Sequence, residues 1–143
     1  MIIGICGDNC SGCPRFIATK SGRRDELEKV KELWVRLGLR DPDFPVEDMA
    51  CHGCKSGNKC AYAELRACVS GKGIENCGSC KQYPCNLINS TFDKSDILKS
   101  YASKVCTQDE MDILHIAFFS KKEYLDRTRR ELKKKPALDY ACD

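Results

Sequence analysis

The residues best suited to chemistry in this 143-residue chain are its twelve cysteines, ten of which lie between Cys6 and Cys85. They form four groups that contain three C-x2-C pairs: Cys6-x3-Cys10-x2-Cys13, Cys51-His52-Gly53-Cys54, Cys60 with Cys68, and Cys77-x2-Cys80-x4-Cys85. Two cysteines at C-x2-C spacing can turn both sulfurs toward one ion at about 2.3 Å, as they do in structural zinc sites. The spacing therefore predicts loops that bind metal.

The other common use of so many cysteines is a disulfide framework, which belongs to oxidising compartments. The segment from Met1 to Gly7 has no basic residue, and its apolar run is too short for the core of a signal peptide, so it does not predict an export signal. Nowhere do the roughly 18 apolar residues of a membrane span run together. A disulfide within a C-x2-C pair would also be strained. We therefore expect a soluble cytoplasmic protein whose reduced thiols bind metal.

A closed zinc site takes four ligands, so ten clustered cysteines can supply two sites with two thiols left over. Cys6 is one candidate for a non-ligand, because it ends a predicted buried strand. Cys60 is the other, because its segment lacks the inner cysteine of the matching segment 77–85. His52 is predicted to be a solvated loop residue and His115 a helix residue. The predicted ligands are Cys10, Cys13, Cys51, Cys54, Cys68, Cys77, Cys80 and Cys85, and spacing does not decide which of them share an ion.

Taken in order, these motifs resemble a known family. The run Cys-Gly-x-x-Cys-x-x-Cys-Pro from Cys6, then Cys-x-Gly-Cys from Cys51, then Cys-x-x-Cys-x-x-Tyr-Pro-Cys from Cys77 is similar to the domain of unknown function 3795 over residues 3–90. The resemblance implies a cysteine-rich bacterial or archaeal protein that binds zinc and has no established activity. It also implies that the eight predicted ligands, and Cys6, match family cysteines. Some relatives carry a further cysteine where Ala63 stands here.

The elements that must position the cysteines are mostly helical. We expect a mainly α, metal-organised single domain, with a cysteine-rich part at residues 1–90 and a helical part at 91–143. Residues 2–5 predict one short N-terminal strand, and two prolines make 41–45 a loop. A short helix is expected over 61–69, closed by Gly71 and Gly73. A longer one is expected over 25–37, where the apolar residues recur at helical spacing: Leu27, Val30, Leu33, Trp34 and Leu37.

Helices are also predicted over residues 95–135. Residues 107–110 and 120–123 fit the capping box, in which a hydroxyl and a carboxylate satisfy free backbone donors at a helix start. Ser95 is expected to cap a further helix, and Pro136 to stop the last one. The loops at 6–13, 51–68 and 77–85 are then expected to converge on one or two metal ions.

The first functional hypothesis is a zinc-organised binding module without catalysis, which acts on a protein partner that the sequence does not identify. Structural zinc contributes folding free energy directly, about 10 kcal/mol at neutral pH. A thiol or zinc enzyme is the least supported class, because a catalytic zinc usually has histidine or carboxylate ligands. Only two histidines are present, and neither lies in a ligand pattern.

The alternative is an iron–sulfur protein for electron transfer or redox sensing. Such clusters also use four thiolates, and cysteine next to proline, as at Cys13-Pro14 and Pro84-Cys85, is typical of ferredoxin-type runs. Cys6-x3-Cys10-x2-Cys13 matches the spacing of radical enzymes that cleave S-adenosylmethionine. Those enzymes need a partial barrel far longer than this chain.

Nucleic acid is not a favoured partner. The formal net charge is +3, and residues 127–135 form a basic run. Eight thiolates bring eight negative charges and two zinc ions bring four positive ones, which takes the formal charge to −1. A basic run near a helix C-terminus also suits the helix dipole. The charge therefore predicts no general attraction to polyanions.

Overall fold

Six α-helices make up most of the chain in the computed structural model, which describes residues 1–54 and 60–135. The mainly helical single domain expected from the sequence is confirmed. Short 3₁₀ turns at Cys10–Gly12, Val46–Met49 and Cys77–Ser79 punctuate the loops, and a π-helical turn at His115–Phe119 follows the fifth helix. The helices are α1 (Pro14–Ser21), α2 (Arg24–Arg36), α3 (Ala63–Lys72), α4 (Asn86–Val105), α5 (Gln108–Leu114) and α6 (Lys121–Lys134).

Two of the predicted helices lie within three residues of their expected limits. In α2, the apolar positions Val30, Leu33 and Trp34 are buried, as their helical spacing predicts. The helix expected over 61–69 is α3, which continues through Gly71 and ends at Gly73 in a left-handed conformation. Left-handed backbone costs glycine little, which is why glycine so often closes a helix.

The predicted N-terminal strand is wrong. In the described chain, Ile3 forms a single isolated bridge with Asn9, and no strand is present. The chain instead turns back at once, because the N–H of Gly4 donates to the carbonyl of Asp8 at 2.8 Å and that of Gly7 to the carbonyl of Gly4 at 3.0 Å. Three isoleucines in four residues favour a strand only when a neighbouring strand is available to pair with them.

The predicted cap at Ser95 is also wrong, and only one of the two capping boxes forms. Helix α4 begins at Asn86, so Ser95 lies buried in its middle. The box at Thr107 is confirmed, since Thr107 accepts from the N–H of Glu110 at 3.2 Å and the Glu110 carboxylate accepts from the N–H of Thr107 at 2.9 Å. The hydroxyl of Ser120 instead donates to the carbonyl of His115 at 3.1 Å, because the helical backbone continues up to that position.

The interior consists of two main hydrophobic clusters, and α4 contributes to both. Ala102 of α4 belongs to the cluster of α1, α2 and α5, whereas Ile88 of α4 belongs to the cluster formed with the N-terminal loop, α3 and α6. The ring of Trp34 packs edge-on against Phe118 at 5.7 Å between centroids. Leu125 of α6 is fully buried in the second cluster, so the last helix covers the N-terminal loop.

Helix α4 also spans the boundary between the two parts expected from the sequence. Residues 90 and 91 both lie within Asn86–Val105, so one continuous helix joins the cysteine-rich part to the helical part. None of the helices in the described ranges has the length and apolar character needed to cross a membrane.

Candidate functional site

Two pairs of predicted ligands, far apart in sequence, meet beside the N-terminal loop. Cys10 and Cys13 follow Asn9, whose side chain accepts from the N–H of Gly12 at 3.2 Å and so holds the turn between them. Cys51 and Cys54 come from the loop after the 3₁₀ turn Val46–Met49. All four cysteines line one cavity, and we refer to them as the first cysteine set.

Helix α1 brings the two pairs of the first set together. It starts directly after Cys13, and its buried Arg15 reaches the loop that precedes Cys51. The Arg15 guanidinium donates to the carbonyls of Met49, Asp48 and Ala50. One turn later, Thr19 accepts from the N–H of Cys51 at 2.9 Å. Helix α1, which directly follows Cys13, therefore positions the Cys51 and Cys54 pair through these hydrogen bonds.

The thiols of the first set differ in their proton affinity. Cys10 donates a hydrogen bond to the Cys54 sulfur, which lowers the pKa of Cys54 and raises that of Cys10. The N–H of Ile5 also donates to the Cys54 sulfur at 3.4 Å. Burial raises the pKa of Cys13 to about 11. Without a cation, only Cys54 of these three is stabilised as a thiolate, so metal binding at the set must release protons.

The N-terminal loop lies directly against these sulfurs. A Cβ atom at Gly4 would lie 2.9 Å from the Cys54 sulfur and 3.3 Å from that of Cys10. Only glycine fits without displacing them. Gly4 is not among the residues predicted to matter for the site, and the only signal for it in the sequence is its position just before a cysteine motif.

The second cysteine set consists of Cys68, Cys77, Cys80 and Cys85, which line a second, smaller cavity. Cys68 lies on α3, and the pair Cys77 and Cys80 is held by the 3₁₀ turn between them, in which the N–H of Cys80 donates to the Cys77 carbonyl at 3.0 Å. Burial, together with the nearby thiols of Cys85, Cys68 and Cys80, raises the pKa of Cys77 to about 11. All four thiols therefore interact electrostatically.

Two cations that were not predicted to belong to the site, Lys72 and Arg129, flank the second set. Lys72 lies four residues after Cys68 on α3, and its ammonium donates to the Cys80 sulfur at 3.3 Å. Arg129 of α6 donates to the Cys80 carbonyl at 3.2 Å. The pKa of Cys80 is lowered by the N–H of Gln82 and also by Lys72. Both cations can offset the negative charge of thiolates at this set.

Ile5 connects the two sets through its backbone. Its N–H donates to the Cys54 sulfur of the first set, and its carbonyl accepts from the N–H of Cys77 in the second set at 3.0 Å. The two sets therefore share one backbone connection, through the two sides of Ile5.

The remaining cysteines lie outside these two sets of four. Cys6 is buried among apolar side chains of the second hydrophobic cluster, and burial raises its pKa. Cys60 lies at the first cavity and its sulfur accepts from the N–H of Tyr62 at 3.4 Å. Cys106 contacts Glu110, and Cys142 lies outside the described residues. His52 is exposed, as expected of a solvated loop residue, and His115 is an exposed residue of the π-helical turn.

The donor chemistry of both sets suits a metal, although the side chains as placed do not enclose one. Within residues 1–54 and 60–135, no three histidine, cysteine or acidic side chains meet closely enough to share an ion. Each set nevertheless offers four thiols, the donors that zinc and iron–sulfur clusters take.

Comparison with known proteins assigns a family. Residues 2–90 match the family described as "Protein of unknown function (DUF3795)". All ten cysteines from Cys6 to Cys85 lie within the matched range. A search of the curated proteins finds no significant match to the chain, and a search of the solved structures finds none either. The match covers well over half of the sequence, and the chain therefore belongs to the DUF3795 family.

Proposed function

We propose that this chain is a cytoplasmic zinc protein that holds one structural ion in each of its two cysteine sets. The single observation that carries the proposal is that the eight cysteines predicted as ligands, from four separate segments, divide four and four between two cavities, the first of which Cys6 and Cys60 also line. Four is the number of ligands that a closed structural zinc site takes. The ligands would be Cys10, Cys13, Cys51 and Cys54 in the first set, and Cys68, Cys77, Cys80 and Cys85 in the second.

The charges near the two sets support this assignment. A zinc ion with four thiolates carries a net charge of about −2, which is costly to bury without compensating cations. Lys72 and Arg129 lie at the second set. Arg15 and Arg66 line the cavity of the first set. Each proposed centre therefore has cationic side chains close enough to offset its charge.

Bound zinc would stabilise loops that have little other support. The segments that carry most of the ligands contain only short 3₁₀ turns and isolated hydrogen bonds. Structural zinc supplies about 10 kcal/mol of apparent binding free energy in small domains, comparable with the whole stability of a domain this size. The ions would therefore hold the N-terminal part in its folded conformation.

We further propose that the protein acts by binding another protein. Several isoleucines remain exposed on helical surfaces, including Ile17 on α1, Ile97 on α4 and Ile116 in the π-helical turn. The formal charge of about −1 with two zinc sites gives no general attraction to nucleic acid.

An iron–sulfur protein is the alternative for the same ligands. The N–H of Ile5 donates to the sulfur of Cys54, and hydrogen bonds to cysteine sulfur are among the features that set the potential of iron–sulfur clusters. The metal itself distinguishes the two proposals.

The zinc proposal is tested by the metal content of single cysteine variants. Cys54→Ser and Cys80→Ser each remove one ligand from a different set, so each is expected to lower the bound zinc from two ions toward one. Cys106→Ser is the matched control, because Cys106 lies beside Glu110 and outside both sets. Purified variants would be analysed by elemental analysis after exhaustive dialysis. Equal loss from all three variants, or no loss from any, would contradict the grouping.

A further inference from the structure

The cavity that the first cysteine set lines on one side is large enough for a small organic molecule. The cavity has a volume of about 160 Å³ and lies between α1, α2, α4 and the π-helical turn. An engineered apolar cavity of about 150 Å³ accommodates benzene. The cavity at the second set has only about 20 Å³, which is room for a single water molecule. The two sets therefore differ, since only the first has space for a ligand beside it.

The walls of the larger cavity are mainly apolar and aromatic. Such walls favour a ligand with an apolar body, because its transfer from water is driven by the hydrophobic effect. The side chains that provide this surface are Phe16, Trp34, Leu39, Leu98 and Phe118.

Arg40 places a hydrogen-bond donor without an acceptor in the wall of this cavity. Its Nε atom is buried and, among the residues that the structure describes, has no hydrogen-bond acceptor. The rest of the guanidinium makes two contacts. One N–H donates to the carbonyl of Leu39 at 2.6 Å, and the guanidinium lies 5.0 Å from the centre of the Phe44 ring. A buried N–H without an acceptor is costly, so an anion that accepts from it would be favoured.

The overall charge of the wall is also suited to an anion. Four cations and one carboxylate line the cavity, which gives +3. A zinc ion with four thiolates would bring −2 and leave the wall net positive. Lys121 is already paired with the carboxylate of Asp8 at 2.9 Å, and Arg15 donates to backbone carbonyls. Of the four cations, Arg40 is the one with a buried N–H that has no acceptor among the described residues, so it is the cation best placed to meet a ligand.

We propose that this cavity binds a small organic carboxylate whose apolar body is about the size of a benzene ring. The ring lies among the aromatic and aliphatic side chains, and the carboxylate accepts hydrogen bonds from the Arg40 guanidinium. The proposal goes beyond the zinc sites, since neither contact involves a cysteine.

The single tryptophan of the chain reports directly on the cavity, because Trp34 is part of its wall. Benzoate titrated into the metal-replete protein is expected to change Trp34 fluorescence saturably. Benzyl alcohol, with a similar body and no charge, is expected to bind more weakly. Arg40→Gln removes the charged donor and is expected to weaken benzoate binding by about tenfold to a hundredfold. Arg127→Gln is the matched control, because Arg127 also stacks on a ring, at 5.8 Å from Tyr124, but on the exposed surface of α6.

A saturable response to benzoate that Arg40→Gln weakens and Arg127→Gln does not would support the site. Equal affinity for benzoate and benzyl alcohol, unchanged affinity in Arg40→Gln, or no saturable response would overturn it. If Arg40→Gln does not fold, Leu98→Phe is the second test, because it narrows the cavity and leaves Arg40 in place. This variant is expected to weaken benzoate binding at least about tenfold by overpacking the cavity. Unchanged affinity in that variant would also overturn the site. Zinc content measured on the same samples tests the metal proposal separately.

Discussion

The buried ion pair between Lys121 and Asp8 gives a sharp test of how α6 is held against the N-terminal loop. The ammonium of Lys121 lies 2.9 Å from the Asp8 carboxylate, and the two side chains are 3% and 17% exposed. Lys121 also donates to the hydroxyl of Tyr62 at 3.3 Å and lies 4.8 Å from the centre of its ring. Burial lowers the pKa of Lys121, but Asp8, Cys6 and Tyr62 together outweigh burial and leave this pKa above its usual value. The lysine is therefore charged in the folded protein.

Lys121→Met keeps the apolar stem and removes the charge, which leaves the Asp8 carboxylate without its cation. Breaking a buried pair in this way costs about 3–5 kcal/mol. Because Asp8 is 17% exposed, water partly solvates its unpaired carboxylate. We therefore expect a loss of unfolding free energy at the lower end of this range, about 3 kcal/mol. The double variant Asp8→Asn with Lys121→Met removes both charges and is expected to lie within about 1 kcal/mol of the wild type.

Urea unfolding followed by far-ultraviolet circular dichroism, with zinc present throughout, measures both free energies. For a domain of this size the single variant should lower the urea midpoint by about 1–2 M, whereas the double variant should lower it much less. If the double variant is destabilised as much as the single one, or the single one by less than about 1 kcal/mol, the reasoning from burial is refuted.

Three further predictions follow from local contacts. Arg36, then the Thr107 N–H, lower the pKa of Glu110 from its usual 4.5 to about 2, so the ionised carboxylate stabilises the fold fully above pH 4.5 and loses this effect as the pH falls toward 2. Glu110→Gln should therefore cost about 1 kcal/mol at pH 7 and progressively less in urea titrations down to pH 3, and a pH-independent difference would contradict this. Gly78→Ala should cost about 1–3 kcal/mol of unfolding free energy, because the new Cβ would lie 2.5 Å from a backbone oxygen of α6. The control Gly71→Ala has open space around the new Cβ and should not destabilise the protein. Equal urea midpoints for the two variants would show that α6 does not pack as described. Cys6→Ala should keep two zinc ions and lower the free energy of unfolding by about 1 kcal/mol through lost apolar burial. Loss of a zinc ion in this variant would instead identify Cys6 as a ligand.

Much of the helical structure could be predicted because it depends on local patterns. The spacing of Val30, Leu33 and Trp34 identifies the buried face of α2 without reference to any other element. The capping box at Thr107 needs only four consecutive residues. Ser95 shows the limit of such signals, because a serine is as compatible with the middle of a buried helix as with its start.

The arrangement of the candidate site could be predicted only in part. The C-x2-C spacing identified the cysteines that belong together locally, but not which pairs share a set. That choice depends on long-range contacts, such as the hydrogen bonds from Arg15 to the carbonyls that precede Cys51. The cavity beside the first set has the same origin, since Trp34 and Phe118 meet only in the folded chain. Spacing alone carries no information about either.

The most direct test of the central claim is the metal content of the protein purified without oxygen. Elemental analysis and a visible spectrum on the same sample identify both the ion and its number. We expect about two zinc ions per chain and no colour, since two closed sites of four thiolates take one ion each and zinc absorbs no visible light. Iron with inorganic sulfide and visible absorption, or eight reactive thiols with no bound metal, would contradict the account.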